Sequence, residues 1–270
     1  MPNITLSDVQ KCLPSNCQVE AFLSSGGQGA VFKGTFDGAP AAIKLINPAG
    51  TEKKRIDRET QFLQSLSHPN IVKVLGHREV NLAGQQVQLL VYEFLNGGDI
   101  LPRIGAIPLP ENAEIVRLGL DISSAIEKIW SAKERVVHRD IKPANIMVGN
   151  QGQYVLVDFG FARHIDLSDM TVMGSPGTRG FSSPEQAAGR KNLTYKSDLF
   201  SLGITLFLFA TGKHPFGFNQ PSAESAVSEN IATLRPDLEP RLSQLILRML
   251  KPSPAERPAH VVLEFELLEE

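Results

Sequence analysis

VVHRDIKPANIMV, Val136 to Val148, sets a histidine, an arginine, an aspartate, a lysine and an asparagine between runs of apolar residues. A polar turn between two buried strands has this pattern, and so does a loop that carries chemistry. Asp140 and Asn145 stand five residues apart with Lys142 between them. Pro143 limits the loop and disfavours a helix within it. Downstream, VLVDFG puts Asp158 at the end of an apolar strand, just before a Phe-Gly turn. A strand-end cap is the plain reading of that carboxylate. The chemical reading is that Asn145 and Asp158 supply the oxygen ligands suited to Mg²⁺. Asp140 is then free to accept a proton.

The bulk of the chain narrows the field. Its 270 residues suit one large domain or two lobes. Hydrophobic content of 42% and charged content of 21% are ordinary for a globular protein and argue against global disorder. The formal charge is -2, from 27 basic and 29 acidic residues, so nothing electrostatic favours nucleic acid or an anionic membrane as partner. Cys12 and Cys17 form a single C-x4-C pair with no nearby histidine, which predicts free thiols in a reducing cytoplasm. MPNITLSDVQ has neither a basic head nor an apolar run, so no signal peptide is expected. The longest apolar stretch, Leu199 to Ala210, falls short of the about 20 residues a bilayer needs and predicts a buried core helix.

Upstream of the opening stretch, VEAFLSS, AVFKGTF and PAAIKLI predict three strands, the last two joined at Asp37-Gly38 by a hairpin turn. TEKKRIDRETQFLQSLS carries Ile56, Phe62, Leu63 and Leu66 on one helical face. HPNIVKVLG and VQLLVYEFL predict two more strands. Five strands and one helix make a small first unit. After Gly97-Gly98 the pattern changes. Ile115, Leu118, Ile122, Ile126 and Ile129 lie at helical spacing, NIMVG and YVLVD predict short strands, and helices broken by prolines follow Pro184.

Two features of the first unit bear on chemistry. In SSGGQGAVFKG, Ser24 to Gly34, glycines let backbone N–H groups approach phosphate oxygens. An ordinary hairpin also fits. No G-K-[ST] closes the loop, so it is not a Walker A motif, and it leads into a strand rather than a helix. Lys44 follows Ala-Ala-Ile, which argues that its strand is buried on at least one face. A solvated edge lysine is the plain alternative. A buried ammonium needs a partner, and Glu59 and Glu52 are both candidates.

In series, the Gly-rich loop, the strand lysine, the helix glutamate, H-R-D-x-K-x-x-N and D-F-G resemble the eukaryotic-type (Hanks-type) serine/threonine protein kinases. HRDIKPANI and SPEQ are similar to the bacterial members. The resemblance runs from about Val19 to Leu268. It implies an α+β, bilobal fold: a small, mainly β N-lobe with one key helix, and a larger, mainly α C-lobe. The whole of 1–270 would be one kinase domain, with the N-lobe at about 17–95, the hinge at about 93–98 and the C-lobe at about 99–268.

The same resemblance assigns roles. RETQFLQSLSHPNIV looks like the family's helix C, which selects Glu59 as the partner of Lys44. ATP would lie between the lobes under Gly26, Gly27 and Gly29, with adenine against Val31, Ala42 and Met147. Glu93 to Leu95 would contact adenine through backbone, Tyr92 would be the gatekeeper, and Asp99 would sit near the ribose. Lys44 would contact the α- and β-phosphates, and Asn145 and Asp158 would hold Mg²⁺ or Mn²⁺. Asp140 would orient the acceptor hydroxyl and take its proton while Lys142 stabilises the moving phosphoryl group. GTRGFSSPE resembles the substrate-docking loop, with Glu185 paired to Arg257, and His138, Phe159, Leu63 and Val74 would stack as a column. Lys142 and Thr178 imply serine/threonine specificity.

Departures are few. Ser24 replaces the first loop glycine, Gln28 the usual aromatic at its tip, and Ser183 the alanine of A-P-E. Thr171 or Ser175, once phosphorylated, would pair with Arg139 and order the loop. The expected partner is a protein bearing Ser or Thr, with control by a regulatory partner, self-association or autophosphorylation, in the cytoplasm and without nucleic acid or membrane. Two other functions share the pattern. One is a pseudokinase scaffold that binds nucleotide, against which the intact Lys44, Asp140, Asn145 and Asp158 speak. The other is a small-molecule phosphotransferase, a class that lacks the GTRGFSSPE loop.

Overall fold

The chain divides into two units, Met1–Ser67 with Val72–Asn96, and His68–Ile71 with Gly97–Glu270. The computed structural model describes residues 5–26, 29–47, 52–133, 135–160, 163–164, 178 and 180–269.

The smaller unit opens with helix α1 (Leu6–Cys12), then strands β1 (Cys17–Gly26), β2 (Gly29–Phe36) and β3 (Ala39–Ile46). Helix α2 (Glu52–Ser65) and strands β4 (Val74–Leu82) and β5 (Gln85–Glu93) follow. The strands form one antiparallel sheet in the order β1-β2-β3-β5-β4. Asp37 and Gly38 both take positive φ, 50° and 79°, as the two-residue turn between β2 and β3 requires. Along β3, Ala41, Ile43 and Leu45 are buried while Ala42, Lys44 and Ile46 are half-buried, the alternation of a pleated strand. The first set joins Leu89, Val91, Cys17 and Val9 of α1 in one apolar core.

Helix α1 corrects the expectation of a single helix in this unit. Thr5 and Asp8 close its first turn reciprocally: the Thr5 hydroxyl oxygen accepts the Asp8 N–H at 3.2 Å, and Asp8 accepts the Thr5 N–H at 3.1 Å. Gln10 then staples the helix to β1, donating to the Cys17 carbonyl at 3.1 Å and accepting the Val19 N–H at 2.8 Å. A second correction concerns HPNIVKVLG, which is not a strand from its start. β4 begins only at Val74, and His68 to Ile71 belong to the larger unit. There the Asn70 amide donates to the Tyr154 carbonyl at 2.9 Å, and the His68 ring lies 3.2 Å from the Ser124 hydroxyl. Side-chain bonds of this kind compete with a strand ladder, and Pro69 contributes no N–H to one.

The larger unit contains α3 (Asn112–Ser131), β6 (Val136–Val137), β7 (Ile146–Val148), β8 (Tyr154–Leu156) and β9 (Arg163–His164). Then come α4 (Pro184–Ala187), α5 (Tyr195–Thr211), α6 (Ile231–Leu234), α7 (Pro240–Met249) and α8 (Val261–Glu269). Ile115, Leu118, Ile122, Ile126 and Ile129 are all buried on α3, which packs against α5 and α8. Burial of each such side chain is worth about 1.5–3 kcal/mol relative to exposure. Helix α5 is buried without interruption from Ser197 to Ala210, so its apolar run is the core of this unit. β7 pairs with β8, and β6 with β9. These short ladders position the loop that opened the sequence.

Candidate active site

The loop from His138 to Asn145 leaves β6 and returns as β7 through a 3-10 turn at Pro143–Asn145. Proline tolerates the first position of such a turn because its missing N–H is not needed there. The loop is held from below by α5. The Asp198 carboxylate accepts the backbone N–H groups of His138 at 2.8 Å and Arg139 at 2.9 Å. Burial raises the Asp198 carboxyl to about 6, and those two N–H groups offset part of that effect. Arg139 sits at φ 71°, a left-handed conformation disfavoured for a side chain with a Cβ and held here by its surroundings.

Asp140 is buried, with donors on both carboxylate oxygens. One oxygen accepts the Thr178 hydroxyl at 2.8 Å and the Thr178 N–H at 3.0 Å. The other accepts the Lys142 ammonium at 2.8 Å and the Asn145 amide at 2.9 Å. Burial alone would raise this carboxyl. The hydrogen bond and charge of Lys142, with the Thr178 hydroxyl, outweigh it and hold Asp140 below the ordinary carboxylate range. Lys142 also donates to the Thr178 hydroxyl. The group is therefore an ionised, fully oriented carboxylate with a cation beside it.

Asn145 spends its amide N–H₂ on Asp140, donating to the backbone carbonyl at 2.8 Å as well as to the carboxylate. Its carbonyl oxygen is thereby turned away from Asp140. Val157, next to Asp158, donates its N–H to the backbone carbonyl of Asn145 at 3.0 Å, tying the two loops together. Asp158 has φ 59°. Phe159 packs edge-on against His138 with ring centroids 4.6 Å apart. Burial holds His138 neutral, with its pKa pushed down to about 4. Among the described residues no group of three or more His, Cys, Asp or Glu side chains is placed to hold a metal. An amide oxygen and a carboxylate nonetheless fit Mg²⁺, which takes few protein ligands and completes its shell with water and substrate phosphate.

The segment expected to dock substrate and the Glu185–Arg257 pair lie in the same unit. Arg257 is buried and uses all five N–H donors of its guanidinium. Two meet Glu185 at 2.6 and 2.9 Å, and the others reach the carbonyls of Lys196, Lys251 and Pro252 at 2.8 Å each. Ser197 donates to Glu185 at 2.6 Å. Burial raises the Glu185 carboxyl, but Arg257 and Ser197 together bring it below its usual value.

The remaining nucleotide-contact candidates are distributed by unit. In the larger one, the 97–100 segment pairs with β7, setting Asp99 opposite Met147. Gly97 donates to the Val148 carbonyl at 3.2 Å, and Val148 donates to that of Gly98 at 2.8 Å. Asp99 accepts the Leu101 N–H at 2.9 Å. In the smaller unit, Val31 on β2 faces Lys44 on β3, and Ala42 lies on the same side of the sheet as Lys44. Glu59 is half-buried in the middle of α2, Glu93 exchanges bonds with the Lys73 backbone, and Leu95 is buried. Gly26 and Gly29 face each other where β1 meets β2. Gly29 has φ 125°, and a Cβ there would lie 2.1 Å from the Leu45 carbonyl oxygen, so no other residue fits. Gly27, Gln28, Ser168, Thr171 and Ser175 lie outside the described residues.

Two contributors were not assigned from sequence. The sequence marks Thr178 only for specificity and gives Asp198 no role. A carboxylate directly before the longest apolar run of the chain was the available signal, since a buried charge demands partners.

Comparison with known proteins follows this geometry. A family model described as protein kinase domain matches residues 17–265. A probable serine/threonine-protein kinase of Corynebacterium efficiens is 30% identical, over 93% of this chain and 41% of its own length. The probable serine/threonine-protein kinase PBL11 of Arabidopsis thaliana is 31% identical, over 83% of this chain and 61% of its own. The serine/threonine-protein kinase pkn3 of Myxococcus xanthus is 32% identical, over 93% and 49% respectively. The chain thus spans between 41% and 61% of the length of these relatives.

Proposed function

The chain belongs to the protein kinase domain family, and from that premise we propose that it transfers the γ-phosphoryl group of ATP to serine or threonine hydroxyls of proteins. The observation that carries this reading is the Asp140 centre: an ionised carboxylate, oriented by four hydrogen bonds, beside the Lys142 ammonium.

In this reading Asp140 aligns the acceptor hydroxyl and takes its proton as the phosphoryl group moves. A carboxylate offers about four lone-pair sites. All four have a donor here, so an incoming hydroxyl must replace one. The Thr178 hydroxyl is the group it most resembles chemically. Lys142 stabilises charge on the moving phosphoryl group. Because its carboxyl is held below the usual range, Asp140 is a weak base, and its main contribution is orientation. Asn145 and Asp158 would hold Mg²⁺ (or Mn²⁺), which neutralises charge between the β- and γ-phosphates when bound.

The smaller unit supplies Lys44 as the phosphate-contacting cation with Glu59 as its partner. It also supplies Gly26, Gly27 and Gly29 over the phosphates, and Val31, Ala42, Glu93 and Leu95 toward adenine. Met147 and Asp99 of the larger unit serve adenine and ribose. Thr171 and Ser175 are proposed autophosphorylation sites, and a regulatory partner or self-association a further control. None of the described helices is long and apolar enough to cross a membrane, and cytoplasmic action is part of the proposal.

Incubation with labelled ATP, Mg²⁺, a generic basic protein and candidate small molecules tests the whole reading. Label on protein serine or threonine is the expected result. Nucleotide binding without transfer, or label on small molecules alone, would overturn it. Peptide mapping of the same sample reads Thr171 and Ser175. Fully active protein with no phosphate on either would remove the regulatory part.

A further inference from the structure

The proposed chemistry needs Asp140 held to within a fraction of an ångström, and the residue before it, Arg139, is in a left-handed conformation at φ 71°. Asp198 holds the N–H side of this strained segment. The carbonyl side has its own holder. The Gln186 side-chain amide, only 2% exposed, donates to the Arg139 carbonyl at 2.8 Å. That carbonyl belongs to the peptide unit whose N–H is Asp140's own, so its orientation sets the direction in which the Asp140 side chain leaves the backbone. Gln186 lies on the short helix α4, directly after Glu185. Ser183 starts that helix by accepting the Gln186 N–H at 3.3 Å, and the Glu185–Arg257 pair fixes its position.

We propose that Gln186 is a positioning residue for phosphoryl transfer: it joins the docking segment to the catalytic loop by orienting the Arg139–Asp140 peptide. The inference rests on the protein-kinase reading. Two clamps from different elements, α5 on the N–H groups and α4 on the carbonyl, over-determine a backbone conformation that one alone would leave free to relax. The amide matters as a donor. A side chain of similar size without an N–H takes this donor away from the Arg139 carbonyl, and the orientation that the bond imposes on the Arg139–Asp140 peptide is weakened.

The test compares Gln186→Met, which keeps the volume and loses the donor, with Gln186→His, which keeps an N–H at similar reach. Peptide phosphorylation is measured at saturating and limiting ATP, beside thermal melting. The expected result for Gln186→Met is a kcat lower by about 10- to 100-fold with KM for ATP unchanged, and partial recovery of kcat in Gln186→His. Gln186→Glu, equal in size to the native residue, covers the case in which the Met variant does not fold. Wild-type kcat in a folded Met or Glu variant overturns the inference. So does a loss that His does not relieve, or one that follows the melting temperature with KM rising in step, because either marks a purely structural role. Wild-type protein without any phosphotransfer would instead sink the kinase reading, and the inference with it.

Discussion

Two buried carboxylates in the larger unit, Asp140 and Glu185, are built from the same materials to different ends. Each is raised by burial and lowered further by a cation, so each is ionised. Glu185 meets a guanidinium that is fully buried and has no donor left over. Asp140 meets an ammonium whose side chain is 23% exposed, and shares that ammonium with Thr178. The first pair has nowhere to go. The second is made of bonds that an incoming substrate can exchange one at a time. A fork of five fixed donors suits an anchor, and a rotatable point charge suits a centre that must rearrange.

The sharpest way to break this contrast is Asp140→Asn. Turnover is expected to fall by about 10²–10⁴-fold with nucleotide affinity retained, read by steady-state kinetics and nucleotide titration. Loss of nucleotide binding as well would mean that Asp140 is not the acceptor-side group. Arg257→Met should do the converse. It leaves Glu185 charged and unpaired in the interior, at a cost of about 3–5 kcal/mol in urea unfolding. An Arg257 variant of native stability would show that the two pairs are not different in kind. Thr178→Val removes one donor from Asp140 and an acceptor from Lys142. A loss of about 10-fold in kcat is expected, the equivalent of one hydrogen bond to a charged group.

A further effect is on the pH dependence of stability. Burial depresses His138 and His214 to about 4 from an ordinary 6.5. Between those values the unfolded chain binds protons that the folded chain does not, so both groups make stability fall as pH drops from 6.5 toward 4. Asp198, raised to about 6, acts in the opposite sense: the folded chain holds its proton between 3.8 and about 6. Glu185, lowered below 4.5, contributes stability that is present above that value and lost as pH falls through its folded value. His214→Gln should therefore flatten the decline between about pH 6.5 and 4 in chemical denaturation. An unchanged slope would show that His214 does not carry it.

Much of this architecture was legible, for reasons that differ by element. Helix α3 could be read because its isoleucines recur with the helical period, and α5 because an apolar run of that length has to be interior. The 138–145 loop could be singled out as a candidate site because polar side chains among β-branched residues require a use. What escaped was non-local. Nothing near Asp198 says that its carboxylate will cap the backbone of a loop 59 and 60 residues away. The left-handed turn at Arg139 has no local signature, since arginine does not favour it and non-local bonds from α5 and α4 hold it. Helix α1 was missed because it is short, and its capping box ends in Asp rather than the more familiar Glu. The late start of β4 depends on Asn70 finding Tyr154, 84 residues downstream.

Helix α5 has a consequence for motion. Its backbone amides from Ser197 to Ala210 lie where water does not reach, and no partial opening of the larger unit frees them without dismantling its centre. In deuterium exchange these amides should be the last to label, and their rate should report the global unfolding free energy of the unit. The loop amides of His138 and Arg139, held by Asp198 of that same helix, inherit part of this slowness. The backbone beside Asp140 is thus tied to the helix expected to open most slowly in the larger unit.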